Sequence, residues 1–291
     1  MIPNTEFAGR RQRLFNMMDA GSVLIVFSGV GKVSSADETY PFEVNRNFYY
    51  LTGIDQEDSV LMLMNTGNKP ILSKNGLLTT VAWKLNGETT YALEGSVFIG
   101  GAVVQWVRDQ MRWFEDSSDS EMYAKKRPDT AGVYFVPAFV GLGTPYWDDD
   151  ARGSIFGLTR GADRHNITRA ALYSIAYQSK DVIDTMKKEA CLSLPVLKVD
   201  GGASANAMLM QFQADILQCE VRIPKCVETT ALGAGYFAGL GVGFWKNKHE
   251  IEVNHEFAKR YYPVMDPKEA EKLYKGWQMA VKATRVFKGQ E

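Results

Sequence analysis

Hydrophobic positions change their rhythm near residue 60. Before it the pattern is sparse. Residues 5–19 place Leu14, Phe15 and Met18 on one face and predict a short helix stopped by Gly21. SVLIVFSG (22–29) is a continuous apolar run rich in β-branched residues, the mark of a buried strand, while NFYYLTGI (47–54) is aromatic and of undecided type. DSVLMLMNTG (58–67) predicts another strand, ended by Thr66-Gly67.

From there the alternation is regular. GLLTTVAWKL (76–85) and ETTYALEG (88–95) flank Asn86-Gly87, a strong hairpin signal of the type I′ kind, and with 58–66 they predict a three-stranded antiparallel meander. A helix follows over about Phe98–Phe114, and GVYFVPAF (132–139) returns to strand. Asn166 is placed to cap a helix running to about Ala190. PVLKVDGG (195–202) reads as a strand feeding a helix over 203–217, EVRIP (220–224) as a short strand, and TALGAGYFAGLGVGFW (230–245) as a closely packing Gly/Ala-rich helix. Asp266-Pro267 starts a last helix that buries Ala270, Leu273, Trp277 and Val281. A meander followed by helix–strand alternation is an α/β layout, matching the ribonuclease-H-like core of actin-type nucleotide-binding lobes.

Composition sets bounds on this picture. With 291 residues, 45% hydrophobic and 23% charged, the chain has material for one large or two ordinary domains. A net charge of −1 gives no general attraction to nucleic acid or anionic membrane, so a small anionic ligand must be held by local geometry. The 3 cysteines lack metal-type spacing and read as free thiols of a reducing, cytoplasmic setting. The run at 22–30 is too short for a bilayer, which takes roughly 20 residues.

The chemistry concentrates in VLKVDGGASANAMLMQFQ (196–213). A strand stops at Asp200, two glycines make a tight turn, and a helix begins near Ser204. Such a turn lets a ligand approach the backbone, and the helix start offers free N–H donors; equally, glycines serve a plain strand-to-helix turn. Gly100-Gly101 has the same two readings, and Gln105 one turn on faces either a base or solvent. Asp148, Asp149 and Asp150 form a carboxylate cluster that reads as a solvated acidic turn rather than a Mg²⁺ site. His249 and His255 lack the helical spacing of a zinc site.

From about Leu61 to the C-terminus, these residues closely resemble the C-terminal half of glycerol kinases, in the FGGY carbohydrate kinase family. MNTGNKPILSKNGLLTT, YALEGSVFIGGAVVQW, VPAFVGLGTPYWDDDARGSIFGLTRG, SIAYQSKDVIDTM, VDGGASANAMLMQFQADIL and TALGAGYFAGLGVGFW carry the resemblance. It implies ATP or ADP with Mg²⁺ as cofactors, glycerol as substrate, and contacts to the adenine nucleotide at Gly101, Gln105, Gly202 and Asn206. A homo-oligomer is left open. Tyr173 departs from the family pattern, which usually has an acidic residue there.

Residues 1 to about 64 resemble instead the opening of the N-terminal domain of aminopeptidase P, through RRQRLFNMMDAGSVLIVFSG, SADETYPFEVNRNFYYLTGI and DSVLMLM. Both resemblances claim Leu61–Met64, so the chain reads as a fusion. A partial aminopeptidase-like α/β segment (1–60) precedes a kinase nucleotide-binding lobe (61–291). The glycerol kinase half that bears the catalytic Asp, most glycerol contacts and a phosphate loop has no counterpart here, and no catalytic or metal residue is assigned. The expectation is a kinase-family lobe inactive on its own, with a non-catalytic nucleotide-binding or interaction module as alternative. An Xaa-Pro aminopeptidase is the remotest reading, because the peptidase metal ligands have no match. Residues 1–57 are expected to pack loosely or separately.

Overall fold

The apolar run Leu61–Met64 becomes the heart of a sheet. The computed structural model describes residues 23–27, 33–35, 38–39, 60–85, 88–226, 229–247, 250–251 and 256–287. The helix expected over 5–19, the segment 47–54, the Asn86-Gly87 turn, His249 and His255 lie outside the described residues. In chain order the strands are β1 (Val23–Phe27), β2 (Val33–Ser35), β3 (Glu38–Thr39), β4 (Val60–Gly67), β5 (Leu78–Leu85), β6 (Glu88–Val97), β7 (Tyr134–Val136), β8 (Ser154–Phe156), β9 (Val196–Val199), β10 (Glu220–Pro224) and β11 (Phe257–Tyr261). The helices are α1 (Ala102–Asp109), α2 (Ser120–Lys125), α3 (Arg164–Ala190), α4 (Ala207–Leu217), α5 (Thr229–Gly241) and α6 (Pro267–Val286).

Seven strands make one mixed sheet in the order β11-β10-β9-β1-β4-β6-β5. β5, β6, β4 and β1 run antiparallel to their neighbours, β1, β9 and β10 run parallel, and β11 closes the far edge antiparallel. The three strands expected as a meander are present, but β6 sits between β4 and β5. The hydrophobic pattern identifies which segments are strands; it does not say which pair, and the long 68–77 connection lets β5 swing to the edge.

β4 is inside on both faces: Val60, Leu61, Met62, Leu63 and Met64 are at most 1% exposed. A strand buried on both sides shows an unbroken apolar run rather than alternation. Each such side chain contributes about 1.5–3 kcal/mol relative to exposure.

β1 fills the slot on the other side of β4. Val23 to Phe27 pair in register with Met64 to Val60, and Val23, Leu24 and Ile25 pair with Leu197, Lys198 and Val199 of β9. The expectation that residues 1–57 pack loosely or separately therefore fails for 23–27, which lie in the sheet interior. A five-residue apolar strand satisfies its backbone N–H and C=O groups best where both neighbours are strands.

α3 spans 27 residues and packs directly on the sheet. A Cβ at Gly95 of β6 would fall 2.5 Å from Val182 Cγ1, so only glycine allows this approach. The cap of α3 is Asp163, not the expected Asn166. Asp163 accepts from the N–H groups of His165 and Asn166, while Asn166 Oδ1 accepts from the Asp163 N–H at 3.1 Å. That reciprocal box uses both residues, three apart. α1 is shorter than expected at both ends. α6 starts as read: Asp266 accepts from the Lys268 N–H, Pro267 takes the first turn, and Ala270, Trp277 and Val281 are buried.

Among the described residues, no helix is long and apolar enough to cross a membrane.

Candidate functional site

Two glycine turns border one cavity of about 280 Å³. The first follows β6: Gly101 starts α1 and its carbonyl accepts from the N–H groups of Val104 and Gln105. The second follows β9. There Gly201 takes φ +95°, a left-handed backbone that only glycine adopts without strain. Its carbonyl accepts from the Ser204 hydroxyl at 2.7 Å, and its N–H donates to Asp200 Oδ1 at 2.7 Å. A Cβ built on Gly202 meets nothing within 4 Å, so that backbone is open toward the space in front of it.

The cavity walls come from four helices. Val104 of α1, Leu172 and Ile175 of α3, and Leu209 of α4 are apolar; Ser117, Ser118, Ser120 and Glu121 line the side formed by α2 and the turn before it. Asp116 shapes that turn by accepting from the Ser118 N–H, which holds its carboxyl below the usual range. Arg169 of α3 fastens α2 in place, donating from Nε to the Ala124 carbonyl and from Nη2 to the Arg127 carbonyl. Its Nη1 donates to the Tyr173 hydroxyl at 2.8 Å. Tyr173 thus gives Arg169 a neutral acceptor.

The helix expected over 203–217 divides into a short 3₁₀ turn over Gly202–Ala205 and α4, capped by Asn206. The expectation of free N–H donors at this start does not hold for two of them. Asn206 Oδ1 accepts from the Leu209 N–H at 2.9 Å, and Glu121 Oε2 accepts from the Ala207 N–H at 3.1 Å. A carboxylate here offsets the positive end of the helix dipole. This end of the cavity therefore disfavours phosphate and suits a neutral, flat heterocycle between apolar walls.

Gly101, Gly202 and Asn206 are brought together around the cavity, and Gln105 lies a turn along α1 outside its lining. Ser117, Ser118, Ser120, Glu121, Leu172, Ile175 and Leu209 were not anticipated from sequence. The Asp-Ser-Ser-Asp run signals a helix start, yet the contact of Glu121 with Ala207 spans 86 residues and has no local signature. Mg²⁺ does not fit the donors present. Among the described residues Glu121 is the one carboxylate lining the cavity, and a lone carboxylate with no second acidic or histidine ligand beside it does not make a Mg²⁺ site. The acidic run lies elsewhere: Asp148 is buried and paired with Arg285 Nε at 2.9 Å, correcting its reading as solvated, while Asp149 and Asp150 are exposed.

Comparison with known proteins agrees with this architecture. The model for the C-terminal domain of the FGGY family of carbohydrate kinases matches residues 58–242, and that for the aminopeptidase P N-terminal domain matches residues 7–77. Both include Leu61–Met64. Glycerol kinases of Carboxydothermus hydrogenoformans and Bacillus subtilis are each 56% identical, over 230 and 227 residues, covering 79% and 78% of this chain. That of Clostridium beijerinckii is 60% identical over 221 residues, covering 76%. The chain spans about half the length of these curated relatives, 46%, 46% and 44%. The crystal structure of Plasmodium falciparum glycerol kinase with ADP superposes with a TM-score of 0.79 at 32% identity, covering 97% of this chain and 50% of that one. Gluconate kinase from Lactobacillus acidophilus shares the fold, with a TM-score of 0.75 at 22% identity, over 96% of this chain and 51% of its own. The actin-like lobe expected from the sequence is thus borne out. With the family match running through more than half of its residues, the sheet and both glycine turns included, the chain belongs to the FGGY family of carbohydrate kinases.

Proposed function

We propose that this chain is the adenine-nucleotide-binding lobe of a glycerol kinase, and that alone it does not phosphorylate glycerol. The observation that carries the reading is the cavity bordered by Gly101, Gly202 and Asn206, three of the four positions the resemblance implies. The base lies between Val104, Leu172, Ile175 and Leu209, the sugar passes the open backbone at Gly202, and the phosphates point away from Glu121. Gln105 reaches the nucleotide only from outside the lining. In the family ATP with Mg²⁺ supplies the phosphoryl group; these residues bind and orient the nucleoside end.

Phosphoryl transfer depends on positioning, worth roughly 7–11 kcal/mol, and on a base that takes the hydroxyl proton, worth about 10²–10⁴-fold. Glu121 is unsuited to that work, since its oxygens are held by the Ala207 N–H and the Lys125 ammonium. The partition into an aminopeptidase-like segment to residue 60 and a kinase lobe beyond it belongs to this proposal as a boundary of ancestry, because β1 shares the lobe's sheet. A cytoplasmic setting belongs to it too, supported by the unbridged Cys191, Cys219 and Cys226.

Calorimetry with AMP, ADP and ATP tests the reading. All three bind with affinities within about threefold, a spread below 1 kcal/mol. A strong preference for ATP would show that a phosphate site survives. Glycerol 3-phosphate formation is assayed for the chain alone and with a separately expressed first half of a glycerol kinase. Turnover by the chain alone overturns the second clause; turnover only with the added half makes it one lobe of a split enzyme.

A further inference from the structure

We infer that Glu121 selects the base this cavity accepts, favouring a 6-amino purine over a 6-oxo purine. The inference rests on the adenine-nucleotide reading above and names the residue that gives it specificity.

The apolar walls cannot tell one purine from another, because Val104, Leu172, Ile175 and Leu209 offer only contact area. Discrimination falls to the polar groups at one end. Ser117 Oγ already accepts from Arg108 Nη1. Asn206 Oδ1 is held by the Leu209 N–H, which leaves its amide as a donor. Among the described residues Glu121 is the one charged side chain in the lining; it is only 22% exposed, and its position is fixed from both sides. Oε2 takes the Ala207 N–H and Oε1 the Lys125 ammonium. A carboxylate has about four acceptor positions, so these two bonds leave capacity for a ligand.

A base edge entering here meets an acceptor from Glu121 beside a donor from Asn206. Adenine presents an amine donor beside a ring-nitrogen acceptor and satisfies both, the pairing by which an acceptor–donor edge reads adenine elsewhere. A 6-oxo purine in the same pose sets its carbonyl oxygen against the carboxylate. Two acceptors then face each other with no proton between them, and sites built around a hydrogen bond reject such ligands strongly.

The competing role for Glu121 is that of a helix cap alone. Glu121→Gln separates the two: the Gln carbonyl still accepts from the Ala207 N–H, while the charge goes and a donor replaces an acceptor. Binding of adenosine and inosine is measured by calorimetry for the native chain and for this variant, with thermal unfolding in parallel. The native chain binds adenosine at least about tenfold tighter than inosine, and in Glu121→Gln the ratio falls to within about threefold. Equal binding of the two nucleosides by the native chain overturns the inference and leaves the nucleotide reading standing; this arm needs no variant. A native preference that persists in Glu121→Gln assigns the discrimination elsewhere and overturns it too. Failure of adenosine, inosine and AMP alike to bind overturns the nucleotide reading itself.

Discussion

The rings of Tyr173 and Phe212 stack with centroids 3.4 Å apart and planes 3° from parallel, joining α3 to α4 behind the cavity. Glutamate at 173, an acidic residue as the family resemblance implies there, would keep a partner for Arg169 and forfeit the stack. Tyr173→Glu is expected to lose about 1–3 kcal/mol of stability in urea unfolding, whereas Tyr173→Phe, which keeps the ring and drops the hydroxyl, loses less than about 1.5 kcal/mol. A Glu variant as stable as the native chain would mean the stack contributes nothing.

Gly202 and Gly201 separate binding from folding. Gly202→Val adds a side chain into open space, so the melting temperature stays close to native while AMP affinity falls at least about tenfold, as a filled pocket requires. Gly201→Ala forces a Cβ onto a left-handed backbone and is expected to cost about 1–2 kcal/mol of stability. Unchanged AMP binding in Gly202→Val would place the ligand elsewhere.

Asp181 makes stability depend on pH in an unusual direction. It is buried, and burial pushes its carboxyl up to about 6, although the Tyr274 hydroxyl at 2.6 Å and the Trp277 indole N–H at 2.8 Å pull the other way. Unfolded, the group titrates near 3.8, so between these values the folded chain holds the extra proton. Its contribution is therefore fully present below pH 3.8 and is lost as pH rises through 6, by about 3 kcal/mol at most. In Asp181→Asn this slope between pH 4 and 6 is expected to vanish, with lower stability throughout because one amide oxygen cannot replace two acceptors. Urea unfolding at pH 4.5 and 7 decides it; parallel curves for the two proteins would assign the slope to another group.

Amide exchange reads the position of β1. The amides of Leu24 to Val26 should exchange as slowly as those of Leu61 to Met64, since both strands have neighbours on each side. Leu24→Pro removes a backbone donor in an interior strand, where proline is essentially not tolerated, and is expected to destabilise the lobe strongly in urea unfolding. Fast exchange at 24–26 would put that segment outside the sheet.

Much of this lobe is written locally. Asp266-Pro267 marks α6, the alternation over 196–217 marks the strand, turn and helix at the cavity, and the apolar run at 22–29 marks an interior strand. What sequence withholds is set by partners far along the chain. Nothing within residues 76–95 says that β6 rather than β5 lies beside β4. Asp163 and Asn166 are both good capping residues, and only their mutual bonds decide which is first. The run at 23–27 announces a buried strand without announcing that it lies between β4 and β9. The turns at Gly101 and Gly202 were legible because glycine pairs have a local signature, but only the family resemblance pointed from them and Asn206 to a nucleotide; Glu121, whose partner lies 86 residues away, had neither signal.

β1 also constrains the order in which the chain can assemble. Its two ladder partners begin 37 and 173 residues downstream, at Val60 and Val196. On a ribosome, β4 emerges early and can pair with β1, with β6 and β5 adding beyond it, but the other edge of β1 has to wait until most of the polypeptide is out. Closing that long gap is slow compared with pairing β1 and β4. Through this interval the nascent chain carries an unpaired interior edge, a template for pairing with a second copy. Chaperone demand during synthesis, rather than the stability of the finished lobe, is where placing one central strand so far ahead of its partner would be felt.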